Sequence, residues 1–162
     1  MPAGRDVQLL KEACRCAAEL SNDPHTQNGA VLLALTGEIV VAANTLPEIE
    51  ARAERLVRPL KYAYIEHAER NVIYAAAKQG VATDRATLYC PWFACADCAR
   101  AIIQAGIKHV VGHITPRKYS PERWHESIRI ADEMLVEAGI QTTLLKEKLD
   151  VSFLFDGNLM EL

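Results

Sequence analysis

No stretch of the 162-residue chain approaches the roughly 20 consecutive apolar residues that a membrane helix needs. The opening Met1-Pro2-Ala3-Gly4-Arg5-Asp6 also lacks the basic-then-apolar layout of a secretory leader. Membrane attachment is therefore not expected, and the cytoplasm is the default compartment. An excess of basic residues is missing too: 18 Lys and Arg face 21 Asp and Glu, a formal net charge of -3. That balance supplies no general attraction to a polyanion, so a nucleic-acid polymer is not the expected partner, although a local basic patch stays open. Internal repeats and low-complexity segments are absent. So is the even cysteine count of a disulfide framework: the chain has five, two of them in a C-x-x-C, which favours a reduced compartment and metal chemistry. Cys14 and Cys16 sit two apart on a helical stretch, point to different sides and cannot grip one ion together. With Cys90 they are read as buried small hydrophobes.

What is present is the composition of an ordinary globular protein, 50% hydrophobic and 24% charged, and its length fits a single domain over 1–162. Val7, Leu10, Cys14 and Ala17 recur at helical spacing within 6–20, and Ser21-Asn22-Asp23-Pro24 ends the pattern. Two apolar runs, 29–35 and 38–43, flank Thr36-Gly37 and predict a β-hairpin whose strands are buried on both faces. From Asn44 to Glu66 the pattern dissolves into a long segment of the kind that often carries function, with a short helix possible over 48–56. Helices then alternate with strands: a helix near 67–79, a strand near 86–90, a helix near 96–105, a strand near 108–114, a helix near 121–138 and a strand over 140–145. Gly80, Gly106 and Gly139 stand where glycines terminate helices. The alternation predicts an α/β class, a three-layer α/β/α sandwich with a five-stranded mixed sheet. The apolar tail 151–162 has no clear period and is expected to dock on the domain or on another subunit.

Two elements carry the chemistry. His67-Ala68-Glu69 opens one helix and Cys95-Ala96-Asp97-Cys98 opens the next, with a strand between them. In a layered sheet, helix N-termini that follow strands gather at one edge, where one imidazole and two thiols can meet a single ion. That donor set suits Zn²⁺, whose catalytic sites use three protein ligands and leave the fourth position to water. Partial positive charge at a helix N-terminus favours the thiolates of Cys95 and Cys98. Glu69, two residues beyond His67, is placed to reach past the metal toward its water and move protons. Taken singly, the C-x-x-C could be a redox pair or half a structural zinc knuckle, and Glu69 could merely favour its helix N-terminus. Their combination favours the site. His25, His109, His113 and His125 have no motif partners and are read as surface or satisfied core histidines.

The H-x-E and C-x-x-C pair is a general signature of zinc deaminases. Through it the chain resembles the cytidine and deoxycytidylate deaminase superfamily, and within that the dCMP deaminases. The resemblance runs from about residue 7 to 145 and also rests on Asp23-Pro24, Gln27, Gly29-Ala30-Val31, Asn44, Pro47, Arg70-Asn71, Ala99 and Ile102 to Ile107. It implies a cytidine deaminase-like fold, Zn²⁺ as cofactor held by His67, Cys95 and Cys98, and Glu69 as the proton shuttle. It further implies Asn44 bonding the substrate's sugar or base, and backbone N–H groups around Ala68 and Cys95 orienting it. The reaction implied is hydrolytic loss of ammonia from an aminated ring, dCMP to dUMP in the first instance, in a homo-oligomer. Two departures stand out: Ala94 occupies the position of an expected proline, and Asn44-Thr45 replaces an expected Asn-Gly.

Arg52, Arg55, Arg58, Lys61, Arg117 and Lys118 are available for a substrate phosphate, or are simply a solvated surface. Tyr62, Tyr64, Trp92 and Phe93 flank the motifs and can stack on a base or pack in the core. Arg70 is placed to offset thiolate charge. Three alternatives remain: a nucleoside, a free base such as cytosine or guanine, or another aminated heterocycle as substrate. A structural zinc or binding module without turnover is the reading from a different class.

Overall fold

The computed structural model describes residues 2–162, with the surroundings of side chains from Gly4 onward; Met1 of the N-terminal hexapeptide lies outside the described residues. In chain order the elements are α1 (Pro2–Leu20), β1 (Gly29–Leu33), β2 (Ile39–Ala43), α2 (Lys61–Tyr64), α3 (Ala68–Gln79) and β3 (Thr87–Tyr89). They continue with α4 (Ala96–Gln104), β4 (His109–His113), α5 (Ile114–Lys118), α6 (Glu122–Glu137), β5 (Gln141–Leu145), β6 (Ser152–Phe155) and β7 (Asn158–Glu161). The five-stranded sheet runs β2-β1-β3-β4-β5. β1 is antiparallel to both neighbours, whereas β3, β4 and β5 are mutually parallel and joined by helical crossovers. The mixed α/β architecture is the one the alternation implies.

Strand periodicity divides the interior in two. Ala30, Leu32, Leu88 and Val110 face α3, α4 and α6, while Val31, Tyr89, Val111 and Leu145 face α1. Gly29 is what lets α1 lie so close: a Cβ there would sit 2.0 Å from the Ala13 carbonyl oxygen. The apolar tail completes the α1 side as the hairpin β6–β7, with Phe153 and Phe155 buried among α1 side chains. The tail therefore docks on its own domain, and its strand period was hidden because Leu154, between the buried Phe153 and Phe155, is apolar although only partly buried. Cys14, Cys16 and Cys90 are buried and free, as read from the sequence.

Two expectations need correction. β2 is an edge strand and is not buried on both faces: Ile39 is 49% and Val41 40% exposed, on the side covered only by the single helix α1. The segment 48–56 forms no α-helix beyond a 3-10 turn at Ala53–Leu56, and a second turn, α2, follows it. Both turns belong to one closed excursion, because Thr45 and Glu66 exchange backbone hydrogen bonds of 3.1 and 2.8 Å at its base. The ends of this loop are thus tied beside the start of α3. Among the described residues no helix is long and apolar enough to cross a membrane.

Candidate active site

His67 and Cys95 both occupy N-cap positions with extended backbone, at α3 and α4. A Ser or Asp there would fold its side chain back onto the helix N–H groups. His67 and Cys95 make no such bond, so both side chains project away from their helices. Other residues take over the capping. Ser127 Oγ on α6 accepts from the Ala96 N–H at 2.9 Å, and Glu66 Oε1 accepts from the His67 N–H at 2.9 Å. Arg117 donates to the Phe93 carbonyl oxygen at 2.8 Å and lies against the Phe93 ring, securing the segment that leads into Cys95. Gly112 leaves the space that ring fills, since a Cβ would stand 2.5 Å from it.

The result is a three-ligand corner. His67 Nδ1 lies 3.5 Å from Cys95 Sγ and 3.4 Å from Cys98 Sγ, and all three donor atoms fall within 4.8 Å of one another. Tetrahedral zinc with ordinary Zn–S and Zn–N bonds separates such a sulfur and nitrogen by about 3.6 Å. The residues fit the ion in identity, number and spacing, and the cluster holds no fourth ligand among the described residues. The Cys98 thiol's hydrogen bond holds Cys95 down at about 4, helped by the bond to His67, while the same Cys95–Cys98 bond and burial hold Cys98 well up. Arg70, bonded to Glu66 at 2.6 Å and 3.8 Å from Asp97, lies between the two helix starts. Glu69 is 2% exposed, and burial above all raises its pKa, with His67 pulling the other way.

A cavity open to solvent rises from this corner. His67, Ala68, Glu69 and Cys95 form its inner end, and Asn28, Asn44, Trp92 and Trp124 belong to its wall. Trp124 makes edge contacts with Tyr62, His67 and Trp92 at centroid separations of 5.9, 5.9 and 6.1 Å. Trp92 is fixed through Nε1, which donates to Ser120 Oγ at 2.8 Å. Asn44 lines the cavity, but its amide already serves the wall: Oδ1 accepts from Ser21 Oγ and the Asn28 N–H, and Nδ2 donates to the Thr26 carbonyl oxygen.

Not every residue singled out in the sequence reaches this place. Tyr64 is not in the wall; Arg55 lies over its ring at 4.9 Å, because the turn of α2 sends Tyr62 inward instead. Of the six loop cations available for a phosphate, only Arg58 and Lys61 line the cavity. Lys61 is buried with Asp23, its Nζ 2.8 and 2.7 Å from the two carboxylate oxygens. Arg58 shares Asp156 Oδ1 with Arg123, at 2.7 and 2.5 Å. Arg123, Trp124, Asn28 and Asp156 were missed by sequence reasoning. Trp124 was visible only as an apolar position on a helix face, and Asp156-Gly157 only as a turn signal in the tail. The remaining histidines stay away from the cluster, His113 buried and bonded to the Thr115 N–H and near the Glu147 carbonyl oxygen.

Residues 4–114 match the family model described as the cytidine and deoxycytidylate deaminase zinc-binding region. An uncharacterized deaminase encoded in the luxG 3' region of Aliivibrio fischeri is 33% identical over 133 residues, covering 77% of this chain and 83% of that protein. The deoxycytidylate deaminase of Homo sapiens is 31% identical over 120 residues, covering 68% of this chain and 62% of that enzyme, so the likeness stops short of two thirds of its length. Among solved structures, dCMP deaminase of cyanophage S-TIM5 shares the fold, with a TM-score of 0.67 at 21% identity over 90% of this chain and all of the other. The chain belongs to the cytidine and deoxycytidylate deaminase family, a class of zinc-dependent hydrolytic deaminases.

Proposed function

We propose that this protein converts dCMP to dUMP with release of ammonia, using His67, Cys95 and Cys98 to hold zinc and Glu69 to carry protons. The observation that carries the reading is the meeting of a buried carboxylate with a three-ligand corner at the inner end of an aromatic-walled cavity. Bound zinc supplies a water acidified toward neutral pH. Glu69, buried at the cavity's inner end, takes a proton from the attacking water and delivers it to ring N3 as the water oxygen joins C4. A second proton then passes through Glu69 from the new hydroxyl to the amine, the C4–N bond breaks, ammonia leaves and the carbonyl remains. Burial favours the protonated form of Glu69, which suits a group that must give its proton back. Trp92 and Trp124 offer faces and edges to the ring, and the N–H groups at the start of α3 orient it. The phosphate is assigned to Arg58 and Arg123, two guanidinium groups already converging on one carboxylate oxygen at the cavity wall.

Relatives support this reading, since the matched human enzyme is a deoxycytidylate deaminase and a second cyanophage S-TIM5 structure holds dCMP and dUMP. One observation favours a second substrate class within the same chemistry: Asp23 and Asp156 already pair the three cations of the wall, which suits an uncharged nucleoside or base. Ammonia release measured with dCMP, deoxycytidine, cytosine and guanine separates these. Turnover of dCMP well above the others is expected. A Cys95→Ser variant or chelation should remove both zinc and turnover; full activity without metal would end the proposal.

A further inference from the structure

Asn28 lies on the cavity wall, buried at 7% exposure, immediately before β1. Its backbone N–H donates to Asn44 Oδ1 at 2.8 Å, and its side-chain Nδ2 donates to the Trp92 carbonyl oxygen at 2.8 Å and to Cys90 Sγ at 3.3 Å. These bonds fix the amide's orientation. A flipped amide would set Oδ1 against the Trp92 carbonyl oxygen, two acceptors face to face, so the oxygen is the atom left over. That Oδ1 is buried and has no hydrogen-bond partner among the described residues. Buried polar atoms are nearly always paired, and an isolated exception on a ligand cavity needs a reason.

Its neighbours narrow the reason. Asn44 and Thr26 satisfy each other, Lys61 satisfies Asp23, and Trp92 Nε1 is engaged with Ser120. The one idle polar atom of Asn28 is an acceptor, so its complement is a donor. We propose, building on the deaminase reading above, that Asn28 determines specificity: its Oδ1 accepts a hydrogen bond from an N–H or O–H of the bound substrate. In dCMP there are two such sources, the exocyclic amine and the sugar hydroxyl. A site committed to a buried acceptor rejects analogues lacking the donor, because binding them leaves the acceptor unpaired.

The test is a binding cycle on the zinc-loaded Glu69→Gln protein, with and without Asn28→Leu, using dCMP, 2′,3′-dideoxy-CMP and dUMP. Asn28→Ser, whose hydroxyl can still donate to the Trp92 carbonyl, is the companion if the leucine variant does not fold. Asn28→Leu should weaken dCMP about ten- to a hundredfold. If the hydroxyl is the donor, the dideoxy nucleotide is already weak and loses nothing more; if the amine is, dUMP is the ligand spared. Equal losses for all three, unchanged binding of dCMP, or no binding of dCMP to the parent each overturn the assignment. Binding of dCMP to the parent, with no ammonia from it in the wild type, would remove the dCMP deaminase reading and leave the Asn28 assignment standing.

Discussion

The inner end of the cavity and its outer wall are built on opposite principles. At the inner end, His67, Cys95 and Cys98 carry incomplete interactions: Glu66 and Ser127 serve the helix starts at His67 and Cys95, and all three side chains are left for an ion. Around the wall, charges are already matched, Lys61 with Asp23 and Arg58 and Arg123 with Asp156. Reactive chemistry depends on groups held short of satisfaction by rigid helix starts. Selection among ligands can instead work by exchange, a ligand charge replacing one the protein supplies.

Breaking the inner end should have the largest effect. Glu69→Gln is expected to keep zinc while lowering turnover about 10²- to 10⁴-fold, read by ammonia release and metal content on the same sample. Next comes the deepest part of the wall. Lys61→Met strands the buried Asp23 carboxylate and should destabilise the fold by about 3–5 kcal/mol in urea titration. A smaller, selective effect is expected from Arg58→Ala with Arg123→Ala: KM for dCMP rises about tenfold or more with kcat nearly unchanged, while deoxycytidine kinetics do not move. The weakest is Asp156→Asn. Arg123 chiefly, and Arg58 with it, hold the Asp156 carboxyl below its usual range, so its contribution is present above that range and lost as pH falls through the depressed value. The difference in Tm between wild type and variant should be largest at neutral pH and close in acid, corresponding to at most about 1 kcal/mol for a partly exposed pair.

The same contrast explains what the sequence disclosed. His67 and Glu69 are two residues apart, Cys95 and Cys98 three, and each pair opens a helix, so local spacing alone marks the inner end. The sheet was legible for a related reason, since Val31, Leu32, Val110 and Val111 sit in continuous apolar runs. The wall draws on five separated segments, through Asn28, Asn44, Lys61, Trp92 and Trp124, and nothing local links them. Tyr62 and Tyr64 flank the motif equally in sequence, and the direction of a single helical turn decides between them. β6 and β7 escaped notice because only Phe153 and Phe155 of their residues are fully buried.

Glu66 joins two jobs that could have been kept apart. Its backbone ties off the excursion from Thr45, and its carboxylate steadies both Arg70 and His67, the proposed zinc ligand. Because the ends of that excursion are clamped, lengthening it adds little entropic penalty, about 0.6 kcal/mol for each doubling. Evolution or design could therefore exchange the span between the two anchors and alter what the protein admits, provided Glu66 stays, since its carboxylate holds the backbone N–H of His67.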